Sequence, residues 1–144
     1  MKFLVPIDGS PTSRRAAEFA SNLLNSERDQ IWLLCVVEAI PISELDSEDE
    51  NTADVKNQLT REAEIILEDA KDIFEKSGFS IETRLGYGDA GETICEYAEE
   101  IEADTIILGR QGKGRVEEFL LGSVSSHVIH HSSIPVLTVP RTSM

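Results

Sequence analysis

The chain is punctuated by short apolar runs, each too brief for a helix and each bounded by turn or polar residues. Phe3 to Ile7 is stopped by Asp8-Gly9-Ser10-Pro11, and Ile31-Trp32-Leu33-Leu34-Cys35-Val36-Val37 follows a polar turn. Thr105-Ile106-Ile107-Leu108 and Pro135-Val136-Leu137-Thr138-Val139-Pro140 repeat the pattern near the end. Runs of this length between turn residues fit strands buried on both faces. Phe79, Ile81, Thr83 and Leu85 alternate with polar residues instead, as in a half-exposed strand.

Helical stretches fill the intervals. Ser10 is placed as N-cap and Pro11 as first helical residue before Ala16, Ala17, Phe19, Ala20, Leu23 and Leu24, which recur at helical spacing. A second helix is predicted from about Ala53 to Ser77, with Val55, Leu59, Ala63, Ile66, Ala70, Ile73 and Phe74 on one face and Gly78 as its C-terminal cap. Asp89 and Glu92 form a capping box ahead of Ile94, Cys95, Ala98 and Ile101. Ser123 is expected to open a short helix holding Val124, His127, Val128 and His131.

The order β-α-β-α-β-α-β-loop-α-β predicts an α/β fold. Right-handed crossovers place helices on both faces of an open parallel sheet. The 144 residues fit one domain, 1–144, large enough to bury about two-thirds of its unfolded surface. Ligands of such sheets bind outside the carboxyl ends of the strands, where strand order reverses. The segments to inspect are therefore Asp8-Gly9-Ser10, Val37-Glu38 and Gly109 onward.

Charge narrows the partners. A net charge of −14 disfavours nucleic acid and anionic membranes and makes a basic cluster conspicuous. Cys35 and Cys95 lack metal or disulfide spacing and read as small buried hydrophobes in a reducing compartment. No apolar run reaches the roughly 18 residues of a membrane span and no signal peptide is evident, so the expected location is cytoplasmic. Glu38 to Asp54 is acidic throughout and reads as a solvated loop, without the spacing of a calcium-binding loop.

The basic cluster lies in Gly109-Arg110-Gln111-Gly112-Lys113-Gly114-Arg115. Glycines directly after a strand let backbone amides converge on an anion, and Arg110, Lys113 and Arg115 supply positive charge. Gly122-Ser123 precedes a helix whose first amides favour phosphate, with Ser123 and Ser125 as hydroxyl donors. The segment is not a Walker A loop, because Arg115 and Val116 stand where Lys and Ser or Thr are needed. Nor is it a dinucleotide fingerprint, because Glu117 replaces its third glycine. A bare turn-rich loop is the alternative account of the glycines.

The pattern Gly109-x2-Gly112-x9-Gly122-Ser123 resembles the nucleotide-binding signature of the universal stress protein family, and nearly the whole chain shares the likeness. Val5 to Ser10, Leu33 to Val36, Leu120 to Val124 and the closing Ser-Ile-Pro-Val-Leu-Thr-Val carry it. The resemblance implies a five-stranded parallel sheet of order 3-2-1-4-5, adenine nucleotide alpha hydrolase-like or Rossmann-like, binding ATP between strands one and four. It implies Pro6, Ile7 and Asp8 at the adenine-ribose end and the Val36 backbone at the adenine edge. Gly109, Gly112, Lys113 and Gly114 would wrap ribose and phosphates, with Arg110, Gln111 and Arg115 in the same loop. Gly122, Ser123, Val124 and Ser125 would present the helix N-terminus. Arg110 departs from the small residue that many ATP-binding members carry there. The resemblance also implies a homodimer through Val136, Leu137, Thr138 and Val139.

Chemistry is harder to find. Glu117 and Glu118 are the acids nearest the cradle, and no nucleophile-base pair is visible. His127, His130 and His131 are spaced for a metal pair on one helix face or, more commonly, for capping helix carbonyls. The expectation is an ATP-binding regulator of the stress response acting through a protein partner, with Mg or Mn accompanying the nucleotide. The alternatives are a slow ATPase or phosphotransferase, and a dimeric interaction module holding AMP, ADP or no nucleotide.

Overall fold

The computed structural model describes residues 1–38, 50–110 and 122–140, with residues 50–52 as backbone only. Nine elements follow in order: β1 (Lys2–Pro6), α1 (Pro11–Leu23), β2 (Gln30–Glu38), α2 (Glu50–Glu75), β3 (Ile81–Gly88), α3 (Ala90–Glu100), β4 (Thr105–Gly109), α4 (Ser123–His131) and β5 (Val136–Val139). The strands form one sheet of order β3-β2-β1-β4-β5, as the resemblance implied. All pairings are parallel: Val5 lies opposite Leu33, Leu4 opposite Ile106, Val36 opposite Gly86 and Leu108 opposite Thr138.

Alternation along the strands divides the core. Phe3, Val5, Ile31, Leu33, Cys35 and Ile107 face α1 and α2, where Ala16, Ala20, Leu67, Ala70 and Phe74 meet them. Leu4, Leu34, Ile106 and Leu108 face the other way, onto Ile94, Tyr97, Ala98 and Val128 of α3 and α4. Buried residues on both faces explain why β1, β2 and β4 read as unbroken apolar runs. β3, at the sheet edge, exposes Glu82, Thr83 and Arg84 in succession, so Thr83 does not join the buried face expected for it.

Helix ends follow local chemistry. Ser10 accepts the Ser13 N–H at 3.1 Å, with Pro11 behind it. Asp89 accepts the Glu92 N–H at 3.0 Å and starts α3. α2 ends in a Schellman motif: Gly78 has φ +86°, its N–H bonds the Glu75 carbonyl, and the Phe79 N–H bonds the Phe74 carbonyl. The Phe74 and Phe79 rings then meet edge to face at 5.8 Å.

Two expectations are corrected. α2 begins at Glu50, within the acidic stretch assigned to a loop, rather than near Ala53. Its leading turn holds no apolar residue to mark helical spacing, and acidic residues suit a helix N-terminus. Residues 39–49 of that stretch lie outside the described residues. At α4 the N-cap is Gly122, not Ser123, because the Gly122 carbonyl accepts the Ser126 N–H.

Candidate functional site

β1 stops at Pro6 while β2 runs on to Glu38, so the sheet has a notch at its carboxyl edge beside β4. The chain leaves β1 through a tight turn. Asp8 Oδ1 accepts the Ser10 N–H at 2.9 Å, the Asp8 N–H donates to Ser13 Oγ at 3.3 Å, and Gly9 sits at φ +84°. This holds Asp8 at the notch and starts α1 directly behind it.

The β4 side of the notch is tied by three hydrogen bonds. Ser125 Oγ donates to the Gly109 carbonyl at 2.7 Å. The Gly122 N–H donates to the Arg110 carbonyl at 3.0 Å, and the Arg110 N–H donates to the Val139 carbonyl at 2.9 Å. The hydroxyl proton of Ser125 is therefore engaged within the protein, which corrects its expected role as a hydroxyl donor to phosphate. Gly109 needs its bare Cα for a different reason from the one its sequence context suggested. A Cβ there would lie 2.6 Å from Thr12 Cγ2 and 2.9 Å from the Thr12 backbone. Positive φ is found at Gly9, Gly78 and Gly88 among the described glycines, so neither Gly109 nor Gly122 has that requirement.

The notch opens into two adjoining clefts. The first, about 550 Å3 and open to solvent, is an apolar slot between Pro6, Ile7, Leu34 and Val36 on one side and Ala90, Ile94, Leu108 and Val124 on the other. Asp8, Gly109 and Ser125 also border it. The second, about 1160 Å3, continues over the strand tips toward Leu59, Glu62, Ala63 and Ile66 of α2, with Gly122, Ser123 and Val124 on its wall. Asp8, Val36, Glu38 and Val124 belong to both.

Polar groups at this junction come from backbone and carboxylates. Ile7 N–H donates to the Leu34 carbonyl at 2.8 Å, so peptide groups of Leu34 face β1. Peptide direction alternates along a strand, which turns the Val36 peptide groups the same way, beyond the last β1 pairing. α4 starts without a side-chain cap, and its first amides carry the positive end of the helix dipole. Asp8, Glu38 and Glu62 stand around the second cleft. Among the described residues lining either cleft, none is Lys, Arg or His.

Of the candidates named from sequence, Pro6, Ile7, Asp8, Val36, Gly109, Gly122, Ser123, Val124 and Ser125 line these clefts. Arg110 follows Gly109 in the same bonded corner. Gln111, Gly112, Lys113, Gly114 and Arg115, together with Glu117 and Glu118, lie outside the described residues. Sequence reasoning missed the wall residues Leu34, Ala90, Ile94 and Leu108, and the carboxylates Glu38 and Glu62. Glu38 carried one signal, since it follows Val36 by two positions and so shares its strand face. Cys95 stands apart: burial, then Glu99 and Glu96, hold its thiol above its ordinary range, so it remains protonated and unreactive.

Residues 1–140 match the sequence profile of the Universal stress protein family. The chain belongs to the universal stress protein family. It is 33% identical over 140 residues to Universal stress protein MJ0531 of Methanocaldococcus jannaschii, covering 97% of this chain and 82% of that one. The structure of MJ0577 superposes with a TM-score of 0.87 at 34% identity, covering 99% of this chain and 97% of the other. A universal stress protein solved in complex with cAMP superposes with a TM-score of 0.69 at 25% identity, covering 99% and 98%. Among the described residues of this universal stress protein, no group of three or more His, Cys, Asp or Glu is arranged to hold a metal ion. No helix among them is long and apolar enough to cross a membrane.

Proposed function

We propose that this universal stress protein binds an adenine nucleotide, ATP foremost, and works as a cytoplasmic regulator in the stress response whose bound state a protein partner reads. The observation that carries the reading is the junction of an apolar slot with an uncapped helix N-terminus, bridged by the Val36 backbone. A planar base suits the slot between Val36 and Ile94. Peptide groups of Val36 offer one donor and one acceptor for a base edge. The amides of Ser123, Val124 and Ser125 offer a phosphate its ligands. The relative solved with cAMP supports an adenylate in particular.

The residues proposed to hold it are those named from sequence, with Pro6, Ile7, Asp8 and Val36 toward the base and ribose. Gly109 to Arg115 and Gly122 to Ser125 are proposed toward the phosphates. Three carboxylates around the second cleft would repel a bare triphosphate, so Mg or Mn is proposed to accompany ATP. Slow turnover is the second reading, with the water-facing Asp8 the nearest described carboxylate to the α4 amides. A homodimer is proposed through β5, an edge strand whose Val136, Leu137 and Thr138 are only half buried.

The test combines identification and affinity. Protein purified without added nucleotide is denatured and the released small molecules identified by mass spectrometry; stripped protein is then titrated with ATP, ADP, AMP and cAMP. Ala90 lines the slot at the half-exposed start of α3. Ala90→Trp fills the slot and is expected to weaken adenylate binding at least about tenfold, equivalent to 1.4 kcal/mol, with the thermal transition retained. Unchanged affinity in a folded Ala90→Trp protein would remove the slot as the base site.

A further inference from the structure

The nucleotide reading leaves the three histidines of α4 unused. His127 and His131 are one turn apart, and their rings stack with centroids 4.2 Å apart and planes 23° from parallel. His131 Nδ1 lies 2.9 Å from the His127 carbonyl, and His130 Nδ1 lies 2.7 Å from the Ser126 carbonyl. A carbonyl oxygen only accepts, so each of these Nδ1 atoms carries the proton. In the neutral ring the lone pair is then on Nε2, directed away from the backbone. This fulfils the carbonyl-capping expectation from sequence and also has a second effect. A backbone carbonyl on Nδ1–H is the outer contact that fixes the tautomer and orientation of metal-ligating histidines.

His127 is held by a different device. Its Cβ, Cγ and Cδ2 press onto Gly91 at the start of α3, where an added Cβ would fall 2.7–2.9 Å from them. Gly91 thus gives the His127 ring a seat against α3, and His131 stacks on that seated ring. Two imidazoles are ordered side by side at the surface of one helix. Metal–nitrogen bonds of about 2.0–2.1 Å at a tetrahedral angle require nitrogens about 3.3 Å apart. The stacked rings reach that separation by a small closing rotation.

We propose that His127 and His131 form a two-nitrogen clamp for one divalent transition-metal ion of the class that prefers imidazole: zinc, copper or nickel. The remaining coordination positions are filled by water or by a donor from outside the described residues. His130 is not part of the clamp, because it lies about 100° round the helix from His131.

The test uses the full chain without a polyhistidine tag, stripped of nucleotide and metal. Zinc chloride is titrated calorimetrically into the wild type and into His127→Ala, His131→Ala and His130→Ala. The expected result is one zinc per chain, with either clamp variant weakened beyond the roughly 10–100-fold that loss of an outer contact produces. His130→Ala should bind like the wild type. One equivalent of Cu2+ should show hyperfine coupling to two nitrogens by electron paramagnetic resonance, reduced to one in His131→Ala. Zinc binding that survives both clamp substitutions, or falls equally in His130→Ala, would overturn the proposal, as would a copper spectrum without imidazole nitrogen.

Discussion

Asp29 lies in the turn between α1 and β2 with its side chain only 3% exposed. Its Oδ2 accepts the Asn25 N–H at 2.9 Å, and Arg28 stands 3.7 Å from Oδ1. The Asn25 N–H, foremost, holds the carboxyl below its ordinary 3.8, although burial opposes the shift. A depressed folded value means that the ionised group stabilises the fold at all pH values above the unfolded one. That contribution disappears as pH falls through the lower folded value. Asp29→Asn should therefore melt below the wild type at neutral pH, by about 1–3 kcal/mol. The two melting curves should converge below about pH 4. Thermal melts recorded across that range check both the size and the direction. A gap that widened in acid would contradict the sign.

At the scale of elements, α1 and β4 approach so closely that Gly109 touches the Thr12 backbone. Gly109→Ala should cost about 1–3 kcal/mol through overpacking, read as a lower midpoint in urea, even without nucleotide present. If the variant instead kept its stability and lost only ligand binding, the packing account would fail. The glycine illustrates what sequence exposes and what it hides. Its position after an apolar run was readable, and so were β1, β2, β4, the Ser10 and Asp89 caps and Gly78, because each is decided by neighbours in the chain. The contact with Thr12 depends on a residue about a hundred positions away, so nothing local distinguishes a phosphate-binding glycine from a packing one. The same limit hid the cleft walls. Leu34, Ile94 and Leu108 are ordinary core residues by spacing and become a slot only because β1 ends before β2 does. Ser125 looked like a free hydroxyl until the fold brought the Gly109 carbonyl to it.

For the whole molecule, a net charge of −14 on 144 residues works against compaction. Salt screens that repulsion over about 10 Å at 0.1 M. Raising sodium chloride from low ionic strength to half molar should thus increase the melting temperature by several degrees, with chloride and acetate salts alike. A flat or falling response would mean that local ion pairs outweigh the long-range repulsion. The order of strands has a consequence of another kind. β1 is the sheet's middle strand and leaves the ribosome first, whereas its neighbour β4 comes only after β2 and β3. A nascent chain can complete the half-sheet β3-β2-β1 while the β4 side of β1 still lacks its partner. During that interval an open apolar edge at Phe3 and Leu4 is available to chaperones and to wrong strands. The notch itself needs both halves, Pro6 and Val36 from the early one and Gly109 and Val124 from the late one. A molecule held there would serve as a certificate that translation and docking of the second half were complete.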